Sequence, residues 1–352
     1  MNYFFRLVGQ KMSVAAILGA GLLLGSFIIA AVISYLYSDQ QRRSWRGFWR
    51  HCLPLETLRH PSAQADIWFY ISGRLIGLQV FSSASVAVGV GVMVNRLLQF
   101  VVHSPPASTA GSTGLLILFT LTMLLVNDFA RYLSHYLEHR VPILWELHKA
   151  HHSAEAMVVF TRHRAHPIEN LIAGCGEGLF GGIVYGVWLF YAYDPVEIAI
   201  FGISIYRFRD IITLDYIRHA PYKVSYGPIF SNILMSPHYH HLHHSALPEH
   251  WNKNLGFGLS CWDWLFGTLM APKPNEDFIF GLRLTDRESE EYHTWWRLYT
   301  VPLVKISRLI KDWMTSIALG VGSDDVNAER PAAIRPVQAT GPQPIAASVD
   351  VA

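Results

Sequence analysis

Residues 115–153 read LLILFTLTMLLVNDFARYLSHYLEHRVPILWELHKAHHS. Leu115–Val126 carries no charge and reads as a membrane-spanning helix. It runs on through Asp128-Phe-Ala-Arg-Tyr into His135-Tyr-Leu-Glu-His139, and then into His148-Lys-Ala-His151-His152. A third cluster, His240-His241-Leu-His243-His244, lies further along the chain. The spacings are HxxxH, HxxHH and HxxHH, and separations of three and four place side chains on one face of an α-helix. Each cluster is therefore expected to aim two or three imidazoles at a common point. Neutral imidazole ligates first-row metals, and eight such side chains from three segments exceed the needs of one ion. The expectation is a polyhistidine centre holding a pair of ions. Hydrated helix faces would not require the HxxHH pattern to recur, and the recurrence decides between the two readings.

Outward from this stretch, the composition points to a membrane protein. Of 352 residues, 51% are apolar and 15% charged, with mean hydropathy +0.24, too apolar for a typical soluble enzyme. The net charge of +2 gives no sign of a nucleic-acid partner, and none is expected. Cys52, Cys175 and Cys261 show no paired spacing, which argues against a disulfide framework or a zinc ribbon. Met12–Ser38 is uncharged and reads as an anchor, followed at once by Arg42, Arg43, Arg46 and Arg50. Further apolar runs extend over Leu75–Asn95, Leu171–Tyr193 and, less regularly, Val196–Leu214, where Arg207, Arg209 and Asp210 intrude.

Lys and Arg favour the cytoplasmic side. They are dense in 39–70 and around the histidines, and absent from 102–113 and 191–195. One topology then places every histidine cluster at the cytoplasmic face. The predicted fold is an all-α membrane protein of four or five transmembrane helices with a cytoplasmic helical cap holding a histidine-rich di-metal site. The division expected is an anchor and basic loop over 1–65, a catalytic domain over 66–272, an amphipathic segment over 273–319 and a disordered tail over 320–352. No internal repeat is visible. Glu177, inside an apolar run, must face protein or water. Around it Gly174, Gly176, Gly178, Gly181 and Gly182 allow close helix approach, with room for a lipid groove.

Zinc in closed structural sites usually takes four ligands, often with Cys. A wholly nitrogenous site of eight or more ligands suits two ions with positions left for oxygen or substrate. Imidazole also suits iron, which can activate O2, and the membrane setting implies an apolar substrate. A metal transporter or metal-storage protein is the rival reading. Transporters, however, place ligands near the bilayer midplane, and here the clusters lie beyond the ends of the spans.

Asp128-xxx-Tyr132-xx-His135-xxx-His139, then Leu144-Trp145-xx-His148-xx-His151-His152-Ser153, then Ser236-Pro237 leading into His240-xx-His243-His244-Ser245, resemble the sterol desaturase and fatty acid hydroxylase superfamily. So does Asn254-x-Gly256 leading to Trp262-Asp263-x-Leu265-Phe266-Gly267-Thr268, and the resemblance covers about residues 66–272. It implies an integral membrane, non-haem di-iron enzyme that uses O2 and external electrons to hydroxylate or desaturate a lipid such as a sterol, fatty acyl chain or related isoprenoid. It also implies iron ligation by His135, His139, His148, His151, His152, His240, His243 and His244.

Arg164-Ala-His166-Pro167-Ile-Glu169 resembles the family's R-x-H-P-x-E stretch, and His219 falls where members carry a further histidine. His166 is either a ligand or bonded to Glu169; His219 is expected to ligate. Asp215 stands where relatives have another histidine, so a carboxylate ligand, a water-mediated one or His166 takes that place. Asp128, two turns before His135, is expected to hold a ring nitrogen, and Asp263 to cap a helix or do the same. With no flavin, iron–sulfur or haem-binding pattern in view, electrons are expected from a separate donor: a ferredoxin, a cytochrome b5-like protein or a reductase. The membrane would be a bacterial inner membrane or the endoplasmic reticulum.

Overall fold

The computed structural model describes residues 44–52, 54–76, 83–102, 112–192, 199–200, 203–273, 276–282 and 288–319, with scattered positions between 21 and 36. The predicted anchor over Met12–Ser38 lies largely outside these residues, and the tail over 320–352 wholly so. The described chain is helical apart from one small hairpin. Its main elements are α1 (Pro61–Ile76), α2 (Ser83–Val102), α3 (Thr113–Glu138), α4 (Pro142–His152) and α5 (Pro167–Ala192). Strands β1 (Ala199–Ile200) and β2 (Ile203–Ser204) follow, then α6 (Ile205–Ile212), α7 (Pro237–His243), α8 (Cys261–Phe266) and α9 (Arg297–Leu319).

Among the described residues three helices are long and apolar enough to cross a membrane: α2, α3 and α5. Met93, Leu97 and Phe100 of α2 stand exposed, as a lipid-facing surface requires and a water-facing one does not. The spans pack by small residues. A Cβ on Gly178 would lie 2.5 Å from Val86 Cβ, and one on Gly182 2.7 Å from the Ala87 carbonyl. Parallel α2 and α5 thus touch backbone to backbone. On the other side of α5, Gly181 meets Asn127 and Gly176 meets Ser134, and Arg131 of α3 bonds Glu177 at 2.5 Å. Glu177 therefore faces a partner helix rather than lipid.

Val196–Leu214 does not form the further apolar run in its described part. Ala199–Ile200 pairs antiparallel with Ile203–Ser204, and the eight residues of α6 span about 12 Å, far short of a bilayer. The charges that interrupted the run have a use there, since Arg209 bonds Asp210 at 2.7 Å and Asp128 at 2.9 Å.

The cap is tied together by buried polar groups. Arg164 is fully buried; it donates to Asp66 at 2.7 Å, to the Ser62 carbonyl, to the Ala150 carbonyl at 2.8 Å and to Ser153 Oγ at 2.8 Å. One guanidinium so fixes the end of α4 against α1, and a buried charge with this many partners is paired rather than stranded. Phe69, Trp145, Tyr292 and Leu298 form an apolar cluster alongside, which seats α9 on the cap.

Candidate metal centre

Helix α3 leaves its apolar stretch with His135 and His139 on one face, and Pro142 opens α4 just beyond. Ser236, whose Oγ accepts from the Tyr239 amide, caps α7, with Pro237 at its first position. These helices carry the three clusters to one place. Two groups of ring nitrogens result, His135, His139, His148, His152 and His243 in one, and His151, His219, His240 and His244 in the other. Within each group the ligand atoms lie within 4.8 Å of one another. The groups adjoin, for the His152 and His244 rings stack 4.6 Å apart.

The clusters do not each converge on one point, as their spacing suggested. On a helix, positions i and i+4 differ by about 40°, whereas i+3 falls about 60° to the other side. Accordingly His148 and His152 serve the first group and His151 the second, while His240 and His244 serve the second and His243 the first. The two HxxHH helices exchange roles.

The arrangement suits metal ions. Metal–imidazole bonds of about 2.1 Å at right angles separate the two nitrogens by about 3.0 Å. The Nε2–Nε2 separations are 3.1 Å for His135–His148 and His152–His148, 3.2 Å for His219–His151, 3.0 Å for His240–His219 and 3.1 Å for His244–His240. His139 Nε2 and His243 Nε2 are buried with no hydrogen-bond partner, a cost that a metal ion would remove. Burial, reinforced by neighbouring rings, pushes His139, His148, His152, His219, His240, His243 and His244 well below the ordinary imidazole pKa. Burial takes His151 down to about 3. These rings are neutral at physiological pH, the form that binds metal.

Several rings are held by their outer nitrogen. His135 Nδ1 donates to the Leu255 carbonyl at 2.7 Å and His243 Nδ1 to the Lys253 carbonyl at 2.9 Å. His148 Nδ1 lies 2.8 Å from Glu169 and 3.3 Å from Glu138. Because a carbonyl only accepts, Nδ1 of His135 and of His243 carries the proton, and the Nε2 lone pair turns inward. Trp145 packs on the His139 and His152 rings at 5.2 and 5.5 Å. A cavity of ≈300 Å3, lined by His135, His148, His151, His219 and His240 and by α3 and α5, opens beside both groups.

Residues 120–268 match the model of the fatty acid hydroxylase family. This segment belongs to the fatty acid hydroxylase and sterol desaturase superfamily. Among curated proteins, ornithine lipid hydroxylase of Rhizobium tropici is 28% identical over 150 residues, covering 42% of this chain and 41% of the relative. Alkylglycerol monooxygenase of Caenorhabditis elegans is 28% identical over 162 residues, covering 45% of this chain and 28% of the relative. The chain thus spans less than half the length of either relative. No solved structure matches it.

Within this hydroxylase-family segment the remaining candidates sort as follows. His219 joins the second group. His166 joins neither group: Nδ1 accepts from the Ile168 amide, Nε2 donates to the Tyr299 carbonyl, and its backbone amide donates to Glu169. Asp215 also joins neither group. It pairs with Arg162 at 2.6 Å and Arg218 at 2.9 Å. Although burial raises its pKa, these guanidinium charges outweigh that and hold its carboxyl below the usual range. Asp128 holds no histidine; it accepts from Arg209, from the Gly258 and Leu259 amides and from Trp262 Nε1. Asp263 acts one bond further from the rings than expected. It accepts from the Leu255 and Gly256 amides, both at 2.7 Å, and from Thr268 Oγ1 at 2.6 Å, so it fixes the carbonyl that holds His135. Gly256 is required there, since a Cβ would lie 2.5 Å from Asp263 Oδ2. Sequence reasoning missed Glu138, Lys253 and Leu255; backbone carbonyls leave no mark in a residue pattern.

Proposed function

We propose that this chain is an O2-dependent di-iron membrane oxygenase that hydroxylates or desaturates a C–H bond of a lipid. The observation that carries the reading is the pair of adjoining nests, of five and four imidazoles, buried but for the half-buried His135, at the end of apolar helices. The family match and the lipid-oxidising relatives support it. Two iron ions would be held by His135, His139, His148, His152 and His243 on one side and His151, His219, His240 and His244 on the other. Iron so held supplies the O2 chemistry that an unactivated C–H bond needs. For hydroxylation, one oxygen atom enters the C–H bond, and the other leaves as water with two protons and two electrons from a donor.

The protein's own part is binding, orientation and exclusion. The Leu255 and Lys253 carbonyls and Glu169 turn the Nε2 lone pairs of His135, His243 and His148 inward. Trp145 and the buried α4 and α7 shield the rings from water. The cavity beside His135, His148 and His219 presents the substrate. A separate ferredoxin, cytochrome b5-like protein or reductase supplies the electrons. The density of Lys and Arg around the histidines supports a cytoplasmic placement. Comparative lipid mass spectrometry of cells expressing the protein or its His148→Ala variant tests the reading. A lipid that gains an oxygen or loses two hydrogens only with the intact protein is expected; identical lipid profiles, with the protein present and metal-loaded, defeat it.

A further inference from the structure

The cavity beside the histidines is ionic, although it opens at the end of apolar helices. Arg131, Arg162 and Arg218 line it together with Glu177 and Asp215. Arg131 is matched by Glu177 at 2.5 Å. Asp215 faces two guanidinium groups, Arg162 at 2.6 Å and Arg218 at 2.9 Å. Glu138 and Glu169, the other carboxylates on the wall, are turned to His148. Arg162 Nη1 and Arg218 Nε are buried without a hydrogen-bond partner. The Phe257 ring lies 3.9 Å from the guanidinium of Arg131 and 4.7 Å from that of Arg218, and the Phe257 carbonyl accepts from Arg218, so the groups are held in place.

A hydrocarbon chain drawn into this space would strip water from these charges and return nothing. A carboxylate or phosphate would supply the missing acceptors for Arg162 Nη1 and Arg218 Nε. The volume of ≈300 Å3 lies at the lower end of ligand cavities, a headgroup's size rather than a whole lipid's. Resting on the lipid-oxygenase reading, we propose that this cavity binds the oxyanion-bearing headgroup of the lipid substrate. The C–H bond facing His151 and His219 then belongs to the headgroup or to the carbons next to it, and not to mid-chain.

Binding to the full-length, metal-loaded protein in neutral detergent, followed by tryptophan fluorescence, tests this. Single-chain probes of equal chain length are compared: a lysophospholipid, an N-acyl amino acid and a monoacylglycerol, with inorganic phosphate alone as a fourth. Both oxyanion lipids are expected to bind about tenfold more tightly than the monoacylglycerol. Arg162→Gln should abolish most of that advantage while leaving the metal content unchanged. Equal binding of the neutral lipid, or an advantage that survives Arg162→Gln, overturns the inference. Phosphate alone binding as tightly as the oxyanion lipids overturns it too, by making the ligand a free anion. The wild-type comparison decides the matter even where the variant folds poorly. A neutral lipid oxidised as well as an anionic one sinks this inference and leaves the oxygenase. Headgroup selectivity without iron or oxidised product does the reverse.

Discussion

Replacing Glu169 with alanine removes the carboxylate that lies 2.8 Å from His148 Nδ1 and accepts from the His166 amide at 3.1 Å. Both donors are buried. An unsatisfied buried donor costs about 1–3 kcal/mol, so the pair is expected to cost about 2–6 kcal/mol of fold stability. Separately, His148 loses the partner that sets its ring, and loss of such an outer partner lowers metal affinity about 10–100-fold. Glu138, 3.3 Å from the same nitrogen, is placed to take over in part. Glu169→Ala should therefore sit toward the lower end of that range, and Glu138→Ala with Glu169→Ala toward the upper end. Glu169→Gln, which keeps an accepting oxygen, should stay within about tenfold of wild type. The assay is chelator competition on detergent-purified full-length protein, with iron retained per chain as readout and thermal unfolding alongside. A double variant that holds metal as firmly as wild type refutes the orienting role of these carboxylates.

His151→Ala and His152→Ala, adjacent in sequence, should empty different sites; metal analysis with spectroscopy should show the loss of a different ion in each, and the same residual signal from both would contradict the division. Gly182→Leu forces a side chain against Ala87 and Val90, where a Cβ alone comes within 2.7 Å. It should destabilise the spans by about 1–3 kcal/mol or more, seen as a lower melting temperature in detergent; an unchanged melting temperature would show that α2 and α5 do not pack this way. For metal-free protein, the contribution of His151 to stability should be flat above about pH 7.5, where its ring is neutral folded and unfolded. It should fall as pH drops toward about 3, because the unfolded chain takes up protons that buried His151 refuses. Chemical denaturation of wild type and His151→Gln at several pH values isolates this contribution, and a wild type that loses no more stability than the variant between about pH 7 and pH 4 would mean that this ring is not buried neutral.

Much of the site was legible because metal ligation writes itself in side-chain identity and helical period. HxxxH and the repeated HxxHH pick out eight of the nine rings, and similarity to a known family added His219. How those rings divide was not legible, since it depends on how α4 and α7 face one another; only the angle between i+3 and i+4 hints at it. Acidic residues misled for a related reason. Asp128 lies near His135 in sequence, yet its partners are amides and side chains from Arg209 to Trp262. Asp215 stands at a ligand-like position but answers two arginines. The apolar run over Val196–Leu214 looked like a span because hydropathy averages over charges that the fold uses singly, such as Arg209.

The central claim is that imidazoles from distant segments enclose two redox-active ions. Iron quantification with Mössbauer spectroscopy on full-length protein purified in detergent tests it most directly. About two high-spin, nitrogen-ligated irons per chain, lost in His148→Ala and His243→Ala, is the predicted result. A single zinc with no iron, or a metal content indifferent to those substitutions, would contradict the account.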